Sequence, residues 1–426
     1  MALIMVTITL IFNFAHFSPR SSEDEAMATS KAAAGKTRSA WLRRAARSER
    51  ASAALLLLSA AAGLIVANSA VGASVIAGSH TVIGPLTAGH WVSDALLAVF
   101  FFVVAAELKL ELTSGQLNSA RKAMVPAIAA LGGVAVPAAV FILIAAEPEL
   151  ARGWPIPTAT DIAFALGVIA VFGRGLPSRM RVFLLALAVL DDLIGIVLIA
   201  TILTRDVDLA ALAAAAVVAL AIALASRHRQ RAPTVAAVVI VLLAITMWVL
   251  VHHSGVHATV AGVALGLVMT VDHGGDWAHR LQPASSLFIL PLFAFSAALV
   301  VIPETSAMGP VLLALAIALP LGKLIGITAG ATLGAALWRR HTDTPVLGWD
   351  LVAVASVGGI GFTVALLMNQ LAFADLAPVR DQGVLGVLIG SGVSLVAGAA
   401  LVSWRARVHR RGPAAAEGQC QPLDRD

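Results

Sequence analysis

A single cysteine, Cys420, occurs in 426 residues. It lies in the polar C-terminal tail, which excludes an intrachain disulfide and any thiolate metal cluster. Charge is scarce as well: Asp, Glu, Lys and Arg make up 12% of the chain against 59% hydrophobic residues, and the mean hydropathy is +0.91. A soluble protein of this size could not cover its surface with so few polar groups. The alternating pattern that lipid-facing barrel strands require is also missing. What the chain has instead is a series of apolar runs of about 17 to 25 residues, the length at which a helix crosses a hydrocarbon core of about 30 Å. These features imply an all-α polytopic membrane protein.

A pI near 10.1 could point to nucleic acid, but the location of the charges argues for topology, and no nucleic-acid partner is expected. Twelve transmembrane helices are expected, near 52–71, 91–108, 123–146, 156–172, 182–203, 209–225, 233–251, 257–271, 284–303, 310–338, 351–374 and 382–404. Apart from Arg152, Arg205, Arg380 and Lys323, the 29 Lys and Arg fall in the two tails and in alternate loops. By the positive-inside rule both termini are then cytoplasmic. Lys323 is the one cation left inside a span.

Met1 to Phe17 is a short apolar stretch with no basic region before it and no small-residue cleavage site, a poor signal peptide. Residues 21–50 are polar, Ser- and Ala-rich and basic, so 1–50 reads as a disordered cytoplasmic extension. A start at Met27 is an alternative account of the apolar lead. The transporter domain is expected over 51–405 and a polar cytoplasmic tail over 406–426.

Two groups of three spans, about 123–203 and 310–404, begin on opposite sides of the membrane by this topology, the signature of an inverted repeat. Each has an interrupted middle span: Pro155-Ile156-Pro157-Thr158-Ala159-Thr160-Asp161 opens one, and Gly358-Gly359-Ile360-Gly361-Phe362-Thr363 splits the other. Paired broken segments in two halves point to a transporter site, because irregular backbone at membrane depth must line a cavity or be buried in protein. Gly326 and Gly330, by contrast, read as a close-packing pair.

The chemistry concentrates in Leu190-Asp191-Asp192-Leu193, two carboxylates in an apolar run. An acid at the bilayer centre costs about 2.5–3.5 kcal/mol on insertion scales, so it defaults to an ion or proton path. Neighbouring helical residues point about 100° apart, so the two aspartates cannot share one partner side chain and have different jobs. Asp161, beside Thr158 and Thr160, and Lys323 complete the intramembrane set. A buried ion pair of either aspartate with Lys323 accounts for one acid but not for three. Surplus hard oxygen ligands suit an alkali cation, since transition metals favour imidazole or thiolate. Burial and mutual repulsion favour the protonated acid and a nearby lysine the ionised one, so proton and cation compete for the same oxygens. That competition couples two fluxes in opposite directions.

The chain resembles the NhaA-type sodium/proton antiporters. The resemblance rests on residues 158–167 (Thr-Ala-Thr-Asp-Ile-Ala-Phe-Ala-Leu-Gly), the Asp191-Asp192 pair, 254–262 (Ser-Gly-Val-His-Ala-Thr-Val-Ala-Gly), 290–295 (Leu-Pro-Leu-Phe-Ala-Phe), Gly322-Lys323 and 359–363 (Gly-Ile-Gly-Phe-Thr). It is ordered along 52–404. It implies an electrogenic exchanger that expels Na⁺ or Li⁺ and admits more protons than cations, regulated by pH, serving Na⁺ and pH homeostasis in the bacterial plasma (inner) membrane, with no cofactor and with a homodimer as its assembly. It also implies that Asp161 and Asp192 bind Na⁺, that Asp191 pairs with Lys323, and that Thr160, Gly359, Gly361 and Thr363 support the interrupted helices. Asp94, Glu107 and His257 would belong to access and pH response. For His257, a structural role with one backbone hydrogen bond is an equal reading. The chain departs from the family at Leu110, where many members carry Arg, at Ser296-Ala297 and at Leu324, and Val71 to His90 is short for a dimer hairpin.

Two other readings compete with exchange. A cation-coupled symporter or channel could share the fold. A membrane-embedded metalloenzyme is suggested by His253 and His257 at i, i+4 spacing beside His252; against it, no HExxH is present, because Ser254 follows His253.

Overall fold

The computed structural model describes residues 49–115, 120–201, 207–228, 233–302, 309–337, 346 and 348–417. The expected extension over 1–50 lies outside these, save Glu49 and Arg50, as does the tail beyond Glu417. The chain divides into two units, Met1–Leu110 with Thr204–Leu299, and Glu111–Leu203 with Val300–Asp426.

The first unit opens with α1 (Glu49–Ala67) and α2 (Gly72–Ser79), then a two-stranded hairpin, β1 (Val82–Ile83) and β2 (Leu86–Thr87). The strands pair antiparallel, Val82 with Thr87 and Ile83 with Leu86. A π-helical turn, Trp91–Leu96, leads into α3 (Leu97–Thr113). In the second unit come α4 (Ala120–Ile144), α5 (Ile162–Phe172) and α6 (Ser178–Thr201). The first unit resumes with α7 (Leu209–His228), α8 (Pro233–His253), α9 (Thr259–Val268), α10 (Val271–Ala284) and α11 (Leu290–Ala297). The second ends with α12 (Pro310–Ile317), a π-helical turn Ala318–Gly322, α13 (Lys323–Leu337), α14 (Trp349–Gly358), α15 (Phe362–Ala372) and α16 (Ala377–Glu417).

Among the described residues five helices are long and apolar enough to cross a membrane: Met124–Ile144, Leu209–Arg227, Val235–His253, Pro310–Leu337 and Ala377–Arg411. Counting each of two bent pairs, α1 with α2 and α14 with α15, as one span gives seven. Length and composition thus establish an all-helical, polytopic membrane protein. Shorter segments include those broken by their own sequence: α5 has 11 residues, too few by itself for a hydrocarbon core of about 30 Å. Large apolar side chains such as Leu58, Leu143, Val217 and Val396 point outward, each about two-thirds exposed or more. In water such patches would drive association; against lipid tails they are the ordinary surface.

Packing in the second unit depends on small residues. A Cβ added to Gly326 would lie 2.1 Å from the Gly132 carbonyl oxygen, and one on Gly330 would lie 2.4 Å from that of Ile128. The backbones of α13 and α4 therefore touch, the close approach that small residues four apart permit between membrane helices. Without a hydrophobic force between helices in lipid, that contact gains its energy from dispersion. The core of the first unit is built from Phe102, Ile222, Ile240, Met247 and Met269.

Candidate cation site

The second unit contains two places where a helix stops inside apolar sequence. Pro155 and Pro157 remove amide donors and restrict their neighbours. The chain there makes one 3₁₀ turn, Ile156–Thr158, then runs extended from Ala159 to Asp161 before α5 begins. In the other stretch α14 ends at Gly358 and α15 starts at Phe362, with a bend of 45°. Gly359 and Gly361 flank Ile360 at this break, where the helical penalty of glycine concentrates.

The two interruptions are stitched together. The Asp161 amide donates to the Ile360 carbonyl oxygen at 2.6 Å. Thr160 Oγ1 lies 2.8 Å from the Gly358 carbonyl oxygen. Asp161 Oδ2 accepts from the Thr363 amide at 3.1 Å and from its hydroxyl at 2.7 Å, while Oδ1 accepts from the Phe164 amide at 3.2 Å. The Asp161 carboxylate therefore sits at the N-termini of both α5 and α15. Main-chain amides and the positive ends of two helix dipoles converge on it, a setting that favours negative charge.

Lys323 serves the carbonyl end of the 3₁₀ turn. Its side chain is fully buried, and each of its three donors is used: one on the Thr158 carbonyl oxygen that closes the 3₁₀ turn, one on Thr160 Oγ1 at 3.0 Å, and one on Asp191 Oδ2 at 2.5 Å. Thr160 Oγ1, besides accepting from Lys323, has both Asp191 Oδ2, at 2.6 Å, and the Gly358 carbonyl within reach of its single proton. Asp191 is 1% exposed, and its Oδ1 has no hydrogen-bond partner among the described residues. Asp192 follows it on α6; its side chain lies outside the described residues.

The arrangement thus separates two jobs. Asp191 is locked to a lysine. Asp161 presents a carboxylate whose position is set by main-chain and hydroxyl donors. An alkali cation needs such oxygens, fixed in place and ionised. Gly359 and Gly361 leave the break without room for a side chain: a Cβ on Gly361 would lie 2.7 Å from the Ala159 carbonyl oxygen.

The remaining sequence-selected residues belong to the first unit. Asp94 is 8% exposed and lies in the π-helical turn before α3. Its Oδ1 accepts from Ser93 Oγ at 2.6 Å and lies 3.6 Å from His257 Nε2; Oδ2 lies 4.0 Å from His252 Nδ1. His257 Nδ1 meets Thr259 Oγ1 at 2.7 Å and the Thr259 amide at 3.4 Å. An amide can only donate, so Nδ1 accepts and Nε2 carries the proton that faces Asp94. Glu107 is exposed on α3. Two residues further, Lys109 Nζ donates to the carbonyl oxygens of Leu267 and Met269 at 2.7 and 2.5 Å, closing the C-terminus of α9. Burial, and then the charge of Arg227, hold its ammonium below the usual lysine range.

Sequence reading missed the aromatic stack behind Asp94. Trp91 stacks on Trp248 and Trp248 on His252, with ring centroids 6.0 and 5.7 Å apart, and Trp248 Nε1 donates to the Asp94 carbonyl oxygen at 3.2 Å. It also missed the main-chain acceptors of Thr158 and Gly358, which any residue type could supply. Among the described residues no group of three His, Cys, Asp or Glu is placed to hold a metal ion, so His252, His253 and His257 form no zinc site there.

Residues 43–402 match the family model described as Na⁺/H⁺ antiporter 1. The chain is similar to the Na(+)/H(+) antiporter NhaA 2 of Clavibacter michiganensis subsp. michiganensis, 54% identical over 384 residues, 87% of this chain and 94% of that protein. It is similar to the Na(+)/H(+) antiporter NhaA of Tropheryma whipplei, 42% identical over 363 residues, 82% of this chain and 92% of the relative. The Na(+)/H(+) antiporter NhaA of Mycolicibacterium smegmatis is 39% identical over 383 residues, 86% of this chain and 88% of its own.

Proposed function

Because the chain belongs to the Na⁺/H⁺ antiporter 1 family, we propose that it expels Na⁺ or Li⁺ in exchange for a larger number of protons, electrogenically and under control of pH. It is a sodium/proton antiporter, a secondary transporter and not an enzyme, and a multi-pass bacterial membrane protein. The observation that carries the finer reading is the Asp161 carboxylate at the meeting of two helix N-termini, beside a lysine that already has its acid.

In this reading Asp161 and Asp192 are the cation ligands, and protons and Na⁺ compete for their oxygens. Occupancy by one expels the other, so a site that faces the two sides of the membrane in turn exchanges them. Thr160, Gly359, Gly361 and Thr363 hold the crossing segments. Lys323 and Asp191 offset the charges of the broken backbone, and surplus acid over base leaves room for a cation. Asp94, Glu107 and His257 shape access and the pH response.

The same reading carries the wider organisation: twelve spans with inverted repeats at about 123–203 and 310–404, a cytoplasmic extension at 1–50 and tail at 406–426, and both termini cytoplasmic in the inner membrane. It also carries a homodimer and a role in Na⁺ and pH homeostasis. Paired interruptions in the two groups of spans and the distribution of Lys and Arg support it. The test is transport by purified protein in proteoliposomes: Na⁺ or Li⁺ should dissipate an imposed acid-inside pH gradient, K⁺ should not, and the rate should depend on membrane potential.

A further inference from the structure

Buried polar atoms without a partner are uncommon in folded proteins, and each one costs stability. Three of those found among the described residues, Asn369 Oδ1, Ser391 Oγ and Ser394 Oγ, lie along α16 or against it. Asn369, on α15, abuts Gly383 of α16: a Cβ on that glycine would lie 1.9 Å from Asn369 Oδ1. Ser394 is 1% exposed and stands directly against the break between α14 and α15. A Cβ on Gly359 would lie 2.6 Å from Ser394 Oγ and 2.8 Å from the Leu319 carbonyl oxygen.

A helical serine or threonine commonly returns its hydroxyl to a carbonyl one turn earlier. Ser226 does so to Ala223, and Thr332 to Thr328. Ser391 and Ser394 do not, although both are buried. Meanwhile the break is held by Thr160 on Gly358, by the Asp161 amide on Ile360, and by Thr363 on Asp161. A hydroxyl left idle beside a main chain that is bonded elsewhere costs free energy in this state. It lowers the free energy of a state in which the same main chain has lost those bonds.

We propose that Ser394 is a positioning residue of the transport cycle, whose hydroxyl donates to a main-chain carbonyl of the Gly359–Gly361 break in the state where Thr160 and Asp161 release that segment. The inference rests on the exchange reading above. α16 acts as the back wall against which the broken span moves, and Ser394 keeps the freed backbone satisfied at membrane depth, where an unpaired carbonyl is costly. Ser391, one turn away on the same helix, is a second buried hydroxyl without a partner in this state.

The test compares wild type, Ser394→Ala and Ser391→Ala in proteoliposomes, with thermal unfolding of each in detergent. Ser394→Ala is expected to unfold at the same or a higher temperature, because no hydrogen bond is lost in this state. Its Na⁺-driven turnover is expected to fall about tenfold, the loss of one hydrogen bond in the other state, while the KM for Na⁺ stays within about twofold. Ser391→Ala is expected to keep its unfolding temperature and lose less turnover. Wild-type turnover in Ser394→Ala overturns the inference. So does a lower unfolding temperature or a failure to fold, since an idle hydroxyl has no bond to lose. A wild-type protein that moves no protons in response to Na⁺ overturns the exchange reading, and the inference with it.

Discussion

Lys323 Nζ lies 2.5 Å from Asp191 Oδ2, with both side chains fully buried. Two charges taken out of water gain stability only as a pair, and removing one partner leaves the other uncompensated. Asp191→Asn should therefore destabilise the protein by about 3–5 kcal/mol, read as a large fall in unfolding temperature in detergent. Joint replacement by Asp191→Leu and Lys323→Met should recover most of that loss, because apolar groups of similar volume need no partner. A single variant as stable as wild type would contradict this.

Thr363 donates twice to Asp161 Oδ2, through its amide and its hydroxyl. Thr363→Val removes only the hydroxyl donor. A hydrogen bond to a charged group contributes about 1.5–3 kcal/mol, so the KM for Na⁺ should rise by about tenfold or more, and Thr363→Ser should restore it. An unchanged KM in Thr363→Val would show that the hydroxyl does not set the position of the carboxylate.

The contact between α13 and α4 has no space for a side chain at Gly326 or Gly330. The atoms a new Cβ would meet are backbone carbonyls, which cannot swing aside as a flexible side chain can. Gly330→Val should cost at least about 1–3 kcal/mol through overpacking and lower the yield of folded protein in membranes, measured by size-exclusion chromatography after extraction. Normal yield and stability would mean that the helices part without penalty.

Lys109 caps α9 while burial and Arg227 lower its pKa. A lysine whose folded pKa lies below its unfolded value releases its proton on folding. Wild-type stability should then rise with pH in the alkaline window just below an ordinary lysine's value of about 10.4. Lys109→Met should lose about 1 kcal/mol of capping and show no such rise. Parallel stability curves for the two proteins across that window would contradict the assignment.

How much of this was legible from sequence depends on whether the signal is local. Pro155, Pro157, Gly359 and Gly361 act on the backbone beside them, so the two places where helices stop could be read directly. The fact that those stops cross each other could not: Asp161 and Thr363 are 202 positions apart, and no periodicity records a contact between them. Lys323 stood out as a cation in an apolar run, but two of its three partners, the Thr158 carbonyl and the Thr160 hydroxyl, make no pattern with it. The count of crossings shows the same limit from the other direction. Hydropathy over 156–172 reads as one span, whereas the backbone there is a 3₁₀ turn, an extended segment and an 11-residue helix. The stack of Trp91, Trp248 and His252 beside Asp94 also joins distant parts of the chain.

The central claim is that Asp161 and Asp192 hold the transported cation in competition with protons. Its most direct test is the Na⁺-induced pH change in proteoliposomes for wild type, Asp161→Asn and Asp192→Asn, across a pH series. The account predicts that Na⁺ or Li⁺, but not K⁺, dissipates an acid-inside gradient in the wild type and that both variants abolish the response while remaining folded. Ordinary exchange by Asp192→Asn, or proton movement in the same direction as Na⁺, would contradict it.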